Sequence, residues 1–372
     1  MAKRNKKSKS NYKLLSTVLF VAVAAVIIVT LYFLLPLIKK NQTANLNGNG
    51  SAQKEVISSV AGDGTLAIHF ISVGQADSIF IQFPTGNNML IDAAEKSSAK
   101  TVTSYISNLG VTTIDYVLLT HQDADHVGGM VDVFNAFEVK NALRPSVYST
   151  DSGYALPAEF NIGTTSGSTP STTKTYYNYL ESVYNEGCRW EAFNKDSDMT
   201  FVAKGQTDDV TYTCTLDFLT PTAEVGKIKY KDNPNNFSPI MILKYGDFSI
   251  MFTGDAEKEV EKELLDYYTD YDLDVDVLKV GHHGSKTSSS KDFINRIKPE
   301  TAIISCGLNP PSKKCPWQVT LDTLNDYGSA IYRTDLQGNI VLTVSSDGVK
   351  NIVTEKTCDD YSLLLSGYSA EE

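Results

Sequence analysis

Cysteine is scarce in this 372-residue chain: five residues and no CxxC pair, so neither a disulfide-held scaffold nor a cysteine zinc cluster accounts for its fold. Two nearest pairings, Cys188 with Cys214 and Cys306 with Cys315, stay open alternatives. Basic charge is also short. The 33 lysines and arginines face 44 acids, and eight of the 33 lie in the first 40 residues, where no acid occurs. The remaining 25 against 44 leave the rest of the chain near −19. A surface that acidic repels phosphates outside any local basic track, which excludes stable nucleic-acid binding over the surface as a whole. A polyanionic phosphodiester substrate must then be held by metal and a few placed cations. No internal repeat is present, which excludes a solenoid or propeller.

Long apolar runs are absent with one exception. Residues 14–38 read "LLSTVLFVAVAAVIIVTLYFLLPLI", 25 residues without a charge. At about 1.5 Å per residue such a helix spans a hydrocarbon core of about 30 Å. A cleaved signal peptide has an apolar region of about 7–15 residues ending at small residues, so a retained transmembrane anchor is the better reading. Six basic residues precede the run and two follow it, which places residues 1–13 in the cytoplasm as a basic tail and the rest of the chain outside the cell. Residues 39–64, rich in Asn, Gly and Ser, read as a flexible linker.

Ordered patterning starts at residue 65. "TLAIHFISVG", "SIFIQFP" and "NNMLIDAA" are short β-branched runs broken by turn residues, as expected of consecutive strands. "SSAKTVTSYISNLG" has helical spacing and a glycine stop. "IDYVLLT" is a buried strand. A Ser, Thr and Gly-rich stretch from about 148 to 173 reads as a long loop, and "TKTYYNYLESVYNEG" as a helix. Strands resume with "YTCTLDFLTPT", "SPIMILKYG", "FSIMFTGD" and "VDVLKVGHHG". Helices are expected in "AEKEVEKELLDYY" and "SKDFINRIKP", and "TAIISCG", "AIYRT" and "NIVLTVSSDG" are expected as the last strands. Strands and helices alternate while several strands form meanders, so an α/β (α+β) domain over residues 65–355, with two sheets flanked by helices, fits better than one doubly wound sheet. Residues 356–372 are left as a C-terminal tail.

Histidine is as scarce as cysteine, five residues, yet four of the five fall in two strand-end motifs. "LLTHQDADHVGG" sets His121, Asp123, Asp125 and His126 directly after an apolar run. Alternate positions of an extended loop point the same way, so 121, 123 and 125 can converge, and 126 adds a donor from the turn. Imidazole with carboxylate suits zinc, manganese or iron. Gly128 and Gly129 let the backbone pass closely into the next helix. "VLKVGHHGSKTSS" ends a strand in His282 and His283, and "IMFTGDAEKEV" places Asp255 at another strand tip. His69, inside "LAIHFIS", reads as structural.

Taken together, "HFISVGQADSIFIQFPTGNNMLIDAA", "LLTHQDADHVGGM", "NNFSPIMILKYGDFSIMFTGDAE" and "VLKVGHHGSKTSSS" resemble the metallo-β-lactamase fold, and within it the extracellular hydrolase domain of ComEC-type competence proteins. The resemblance implies a four-layer αββα sandwich with a metal site at one edge of the sheets. It implies two divalent ions, Zn or Mn, with His121 and Asp123 as ligands of the first and Asp125 and His126 of the second. Asp255 would bridge them, and one of His282 and His283 would add a ligand. Two cations about 3.5–4 Å apart lower the pKa of a bridging water and clamp a phosphoryl or carbonyl oxygen as charge develops. Aspartate at 123, where many relatives carry histidine, enriches the site in oxygen and moves the preference from zinc towards manganese and phosphodiester chemistry.

Asp125 and Asp123 are the residues expected to carry catalysis. Asp77, Asn236, Ser285, Lys286 and Cys315 are candidates for substrate contact or for an outer shell. Three departures stand out against the resemblance. A central histidine ligand is missing, with Asn235 or Asn236 of "NPNNFS" as the substitutes on offer. Cys315 precedes Pro316 where a His-Pro pair is common. Ser72 replaces an aspartate in a turn that keeps Gln75 and Asp77. The expectation is a membrane-anchored extracellular metal-dependent hydrolase, acting through a metal-bound hydroxide on nucleic acid or a cell-wall phosphodiester. Two other readings stay open: a surface-binding or scaffold protein that kept the fold and lost turnover, and a lactonase or β-lactamase-type hydrolase.

Overall fold

The computed structural model describes residues 54–57, 64–146, 173–205, 210–223, 230, 233–308 and 315–368. Within them two eight-stranded sheets form. One contains β2 (Leu66–Phe70), β3 (Ile79–Gln82), β4 (Asn88–Ile91), β5 (Thr113–Leu118), β6 (Glu138–Arg144), β7 (Arg189–Ala192), β15 (Ile340–Val344) and β16 (Lys350–Thr354), in the order β16-β15-β2-β3-β4-β5-β6-β7. The other contains β1 (Lys54–Ile57), β8 (Met199–Lys204), β9 (Thr211–Phe218), β10 (Met241–Tyr245), β11 (Phe248–Phe252), β12 (Val277–Lys279), β13 (Thr301–Ile304) and β14 (Ala330–Arg333), in the order β1-β8-β9-β10-β11-β12-β13-β14.

Period-two alternation decides the layering. In β3, Ile79 and Ile81 face the other sheet while Phe80 faces away, and in β10 Met241, Leu243 and Tyr245 face inward while Ile242 faces out. The inward residues form one core between the sheets. Phe83 and Phe201 stack across it with ring centroids 3.9 Å apart, a pair of the kind that adds about 0.5–1.5 kcal/mol beyond burial. The outward residues of the first sheet meet α1 (Ala99–Asn108), α3 (Met130–Ala136) and α4 (Lys174–Glu186). Those of the second meet α5 (Lys258–Tyr267), α6 (Lys291–Ile297) and α7 (Gln318–Tyr327). Helix, sheet, sheet, helix is the expected four-layer order.

Helix α4 shows how local sequence produces an outer layer. The Thr173 side chain accepts from the backbone N–H of Tyr176 and caps the first turn, and Gly187 ends the helix at φ 65°, a conformation glycine adopts without strain. Tyr176, Tyr179, Leu180 and Val183, spaced i, i+3, i+4, i+7, are the buried face.

Several elements differ from the sequence expectations. Lys54–Ile57, inside the stretch read as linker, pairs parallel to β8. "NIVLTVSSDG" is not the last strand: β16 follows it, short and mostly exposed, on a sheet edge where alternation is weak. Strands β6 to β8 and helix α7 were also unmarked by pattern. Residues 356–368, read as a tail, return to the domain: α9 (Tyr361–Leu364) follows α8 (Thr334–Gln337), and the Arg333 guanidinium donates to the carbonyls of Leu363, Leu364 and Ser366. None of the five cysteines is in a disulfide, so neither pairing forms. Among the described residues no helix is long and apolar enough to cross a membrane; residues 14–38 and most of the Ser/Thr/Gly-rich stretch lie outside them.

Candidate metal centre

The parallel parts of both sheets, β4-β5-β6-β7 and β11-β12-β13-β14, send their carboxyl ends to one edge of the sandwich. Loops leaving such ends are where α/β folds collect functional groups. Asp92 follows β4, His121 follows β5, Asp255 follows β11, and His282 and His283 follow β12. Asp123 stands at the N-cap position of α2 (Ala124–Val127) without a side-chain capping bond, so the loop stops being extended before Asp125. Gly129 carries the chain on into α3 with no room to spare: a Cβ there would stand 2.1 Å from the Ala93 carbonyl oxygen.

Asp255 Oδ2 is the centre of the cluster. It lies 3.3 Å from His126 Nε2, 3.5 Å from His283 Nε2, 3.7 Å from His282 Nε2 and 4.0 Å from His121 Nε2. His121 Nε2 is 3.9 Å from Asp123 Oδ2, and His283 Nε2 is 3.6 Å from Asp125 Oδ2. Two donors bound tetrahedrally at about 2.0–2.1 Å stand roughly 3.4 Å apart, so the spacing fits ions between them. The Nε2 atoms of His121, His126 and His283 are buried without a hydrogen-bond partner, as is Asp255 Oδ1. Leaving each such atom unsatisfied costs about 1–3 kcal/mol, a cost that cations held between these groups would remove. His121–His126–Asp255 and Asp125–His126–His283 are two groups whose donor atoms are close enough to share an ion.

The opposite ring nitrogens are all engaged, which turns each Nε2 into the cluster. The Thr120 hydroxyl donates to Asp92 Oδ2 at 2.7 Å and accepts from His121 Nδ1 at 3.1 Å. His126 Nδ1 donates to the same Asp92 oxygen at 2.7 Å, and His283 Nδ1 to the Ser305 carbonyl at 3.0 Å. His282 Nδ1 meets the Thr287 hydroxyl at 3.0 Å, and its side chain is 25% exposed against 2% for His283. His283, not His282, belongs to the ion-sized groups. Both residues take left-handed backbone conformations, φ 48° and 54°, a strain that non-glycine residues adopt where the surroundings impose it.

Charges in the site are strongly coupled. Burial, with the neighbouring His126 charge, holds His121 well below the usual imidazole range, so it stays a neutral donor. Burial also pulls on His126, but Asp255 and Asp92 outweigh it and lift that imidazole well above its ordinary value. Burial pushes the Asp255 carboxyl up, and His126, His283 and His282 overcome it and hold the group well below the carboxylate range. Asp125 is held down against burial by the neighbouring His283 and the charge of His126.

The other sequence candidates fall around this cluster. Asp77 is buried and pairs with Lys279 at 2.7 Å. Asn235 and Asn236 do not substitute for a missing ligand: Asn235 Nδ2 donates to Glu257 Oε1, and Asn236 Oδ1 accepts from the Glu257 N–H. That segment sends Ser238 inward instead, its hydroxyl 3.3 Å from His121 Nδ1 and accepting from the Asp255 N–H. Ser285 is buried with its hydroxyl on Thr287, and Lys286 is exposed with its ammonium 4.1 Å from the Trp317 ring centre. Cys315 is buried but belongs to none of the ion-sized groups. His69 is structural as expected, between Tyr105 and Gln82. Sequence reasoning missed Asp92, Thr120, Ser238, Glu257 and Lys279. Asp92 had a usable signal, because "MLIDAA" ends a strand in aspartate just as "FTGD" does.

The family model described as the metallo-beta-lactamase superfamily matches residues 71–308. The chain belongs to this superfamily. It is 29% identical over 292 residues to ComE operon protein 3 of Bacillus subtilis (strain 168), covering 73% of this chain and 32% of that one. To competence protein ComA of Neisseria gonorrhoeae it is 25% identical over 287 residues, covering 76% and 33%. The chain thus spans about a third of the length of these relatives. Among solved structures it is similar to the metallo-beta-lactamase fold protein YhfI from Bacillus subtilis, at 10% identity and a TM-score of 0.42, covering 75% of this chain and 99% of that one.

Proposed function

We propose that this chain is a membrane-anchored, outward-facing hydrolase of phosphodiesters that works with two divalent cations, its substrate a nucleic acid or a cell-wall phosphodiester. The observation that carries the reading is the convergence of three buried, partnerless imidazole nitrogens on one oxygen of Asp255. His121, Asp123, Asp125, His126, Asp255 and His283 are the residues that would hold the ions. Bound there, the ions supply Lewis acidity and water activation. Three aspartates among these ligands favour a hard ion of the manganese kind over a purely zinc site.

The protein's own part is placement. Asp92 and Thr120 aim His121 and His126, and the Ser305 carbonyl aims His283. Asp123 and His282 are the exposed members, with side chains 40% and 25% accessible, so substrate enters on their side. The uncharged run of residues 14–38 supports the anchor, and its basic flanks support the orientation.

The test is manganese- or zinc-dependent cleavage of bis-p-nitrophenyl phosphate by the full chain. Asp125→Asn is expected to lower turnover at least about hundredfold, since loss of even an outer-shell partner costs about 10–100-fold. Protein that retains metal yet leaves nucleic acids and wall phosphodiesters intact overturns the reading.

A further inference from the structure

Beneath the cluster lies an ion pair that the reading above does not use. Lys279, the last residue of β12, is 1% exposed, and Asp77, on the loop between β2 and β3, is 2% exposed. Their contact, Lys279 Nζ to Asp77 Oδ2 at 2.7 Å, ties one sheet to the other at the edge that carries the site. Lys279 Nζ also donates to the Val280 carbonyl at 3.0 Å, and the Thr253 hydroxyl holds the Lys279 carbonyl. The second Asp77 oxygen, Oδ1, is buried with no hydrogen-bond partner and lies 3.7 Å from His283 Nδ1.

That oxygen gives Asp77 a rival role. Asp77–Asp255–His283 and Asp77–Asp92–His126 are also groups of ion-sized spacing. They draw on the same Asp255, His126 and His283 as the groups containing His121 and Asp125. A carboxylate is a hard donor and a buried lone one is costly, so an unopposed Asp77 would draw a divalent ion down into the floor. An ammonium already seated on its other oxygen repels such an ion and neutralises the charge that would attract it.

We propose that Lys279 is a positioning residue that keeps Asp77 out of the coordination shell, so that ions settle on the Asp125 and Asp123 side where substrate enters. The proposal rests on the metal reading of the cluster and not on which ester is cleaved.

Full-length Lys279→Gln, Asp77→Asn and the double variant are titrated with Mn²⁺ by calorimetry, and bound metal is counted by elemental analysis. Lys279→Gln is expected to bind Mn²⁺ about tenfold more tightly, or to hold an additional ion, while losing turnover on bis-p-nitrophenyl phosphate. Asp77→Asn placed on top is expected to return affinity and stoichiometry to wild type, because the rival carboxylate is gone. An affinity for Lys279→Gln within about twofold of wild type at unchanged stoichiometry, or a change that Asp77→Asn does not reverse, overturns the proposal. If Lys279→Gln does not fold, the neutral double variant decides: wild-type affinity and metal count support the proposal, and lost metal binding overturns it. The deciding outcomes, affinity and metal count, are read without turnover. Metal binding that follows the expected pattern in a protein inert on every phosphodiester sinks the functional reading alone.

Discussion

Asp92 accepts three hydrogen bonds: from the Thr120 N–H on Oδ1, and from the Thr120 hydroxyl and His126 Nδ1 on Oδ2. An asparagine has one acceptor oxygen. If it keeps the Thr120 N–H, its amide hydrogens face His126 and force that ring into the other tautomer, with a hydrogen on Nε2. Asp92→Asn is therefore expected to weaken metal binding about 10–100-fold with the ligand set intact, which a Mn²⁺ titration measures. Unchanged affinity would mean that His126 is not held through its Nδ1. Asp123 and Asp125 were legible as donors because they sit beside His121 and His126 in the chain. Asp92 acts across 34 residues and its neighbours in sequence are apolar, so the same chemistry left a fainter mark.

Among the elements, α3 depends on a close approach that only glycine permits. The Gly129→Ala methyl would stand 2.1 Å from a backbone oxygen that has no rotamer to escape into. Overpacking of this kind costs about 1–3 kcal/mol, and the expected result is a lower thermal midpoint with a weakened metal site on the adjoining loop. The C-terminal segment is a second such dependence. Removing residues 357–372 takes three carbonyl acceptors from the buried Arg333, whose pairing with Asp335 remains. A loss of about 1–3 kcal/mol in urea unfolding is expected. Helices α1, α4, α5 and α6 and strands β2 to β5 and β9 to β15 were readable from period and turn residues. Strand β16 and the return of residues 356–368 were not, since exposed edge strands and carbonyl contacts leave no periodic pattern.

At the scale of the whole molecule, the cluster couples metal to folding. Four buried polar atoms at the seam between the sheets have no hydrogen-bond partner among the described residues, so a cation bound there would stabilise the native state and hardly the unfolded one. Saturation at about 100 times the dissociation constant adds about 2.7 kcal/mol. Chelation is expected to lower the thermal midpoint and added Mn²⁺ to restore it, and Asp125→Asn is expected to shrink that difference. A midpoint indifferent to chelator would show that these atoms are satisfied some other way.

Two things followed from sequence alone. Two sheets flanked by helices came from the pattern of strands and helices, which is a local property of each segment, and the four-layer order came from the resemblance of its motifs. The candidate histidine and aspartate donors came from three short strand-end motifs, because a metal-binding turn places several ligands within a few residues of one another. The tertiary structure decided the rest. It put His283 rather than His282 among the ion-sized groups, turned Asn235 and Asn236 to Glu257, and set Lys279 on Asp77 across 202 residues. Such pairs depend on how the two sheets register against each other, and that register is fixed by the packing of the core between them, not by any spacing along the chain.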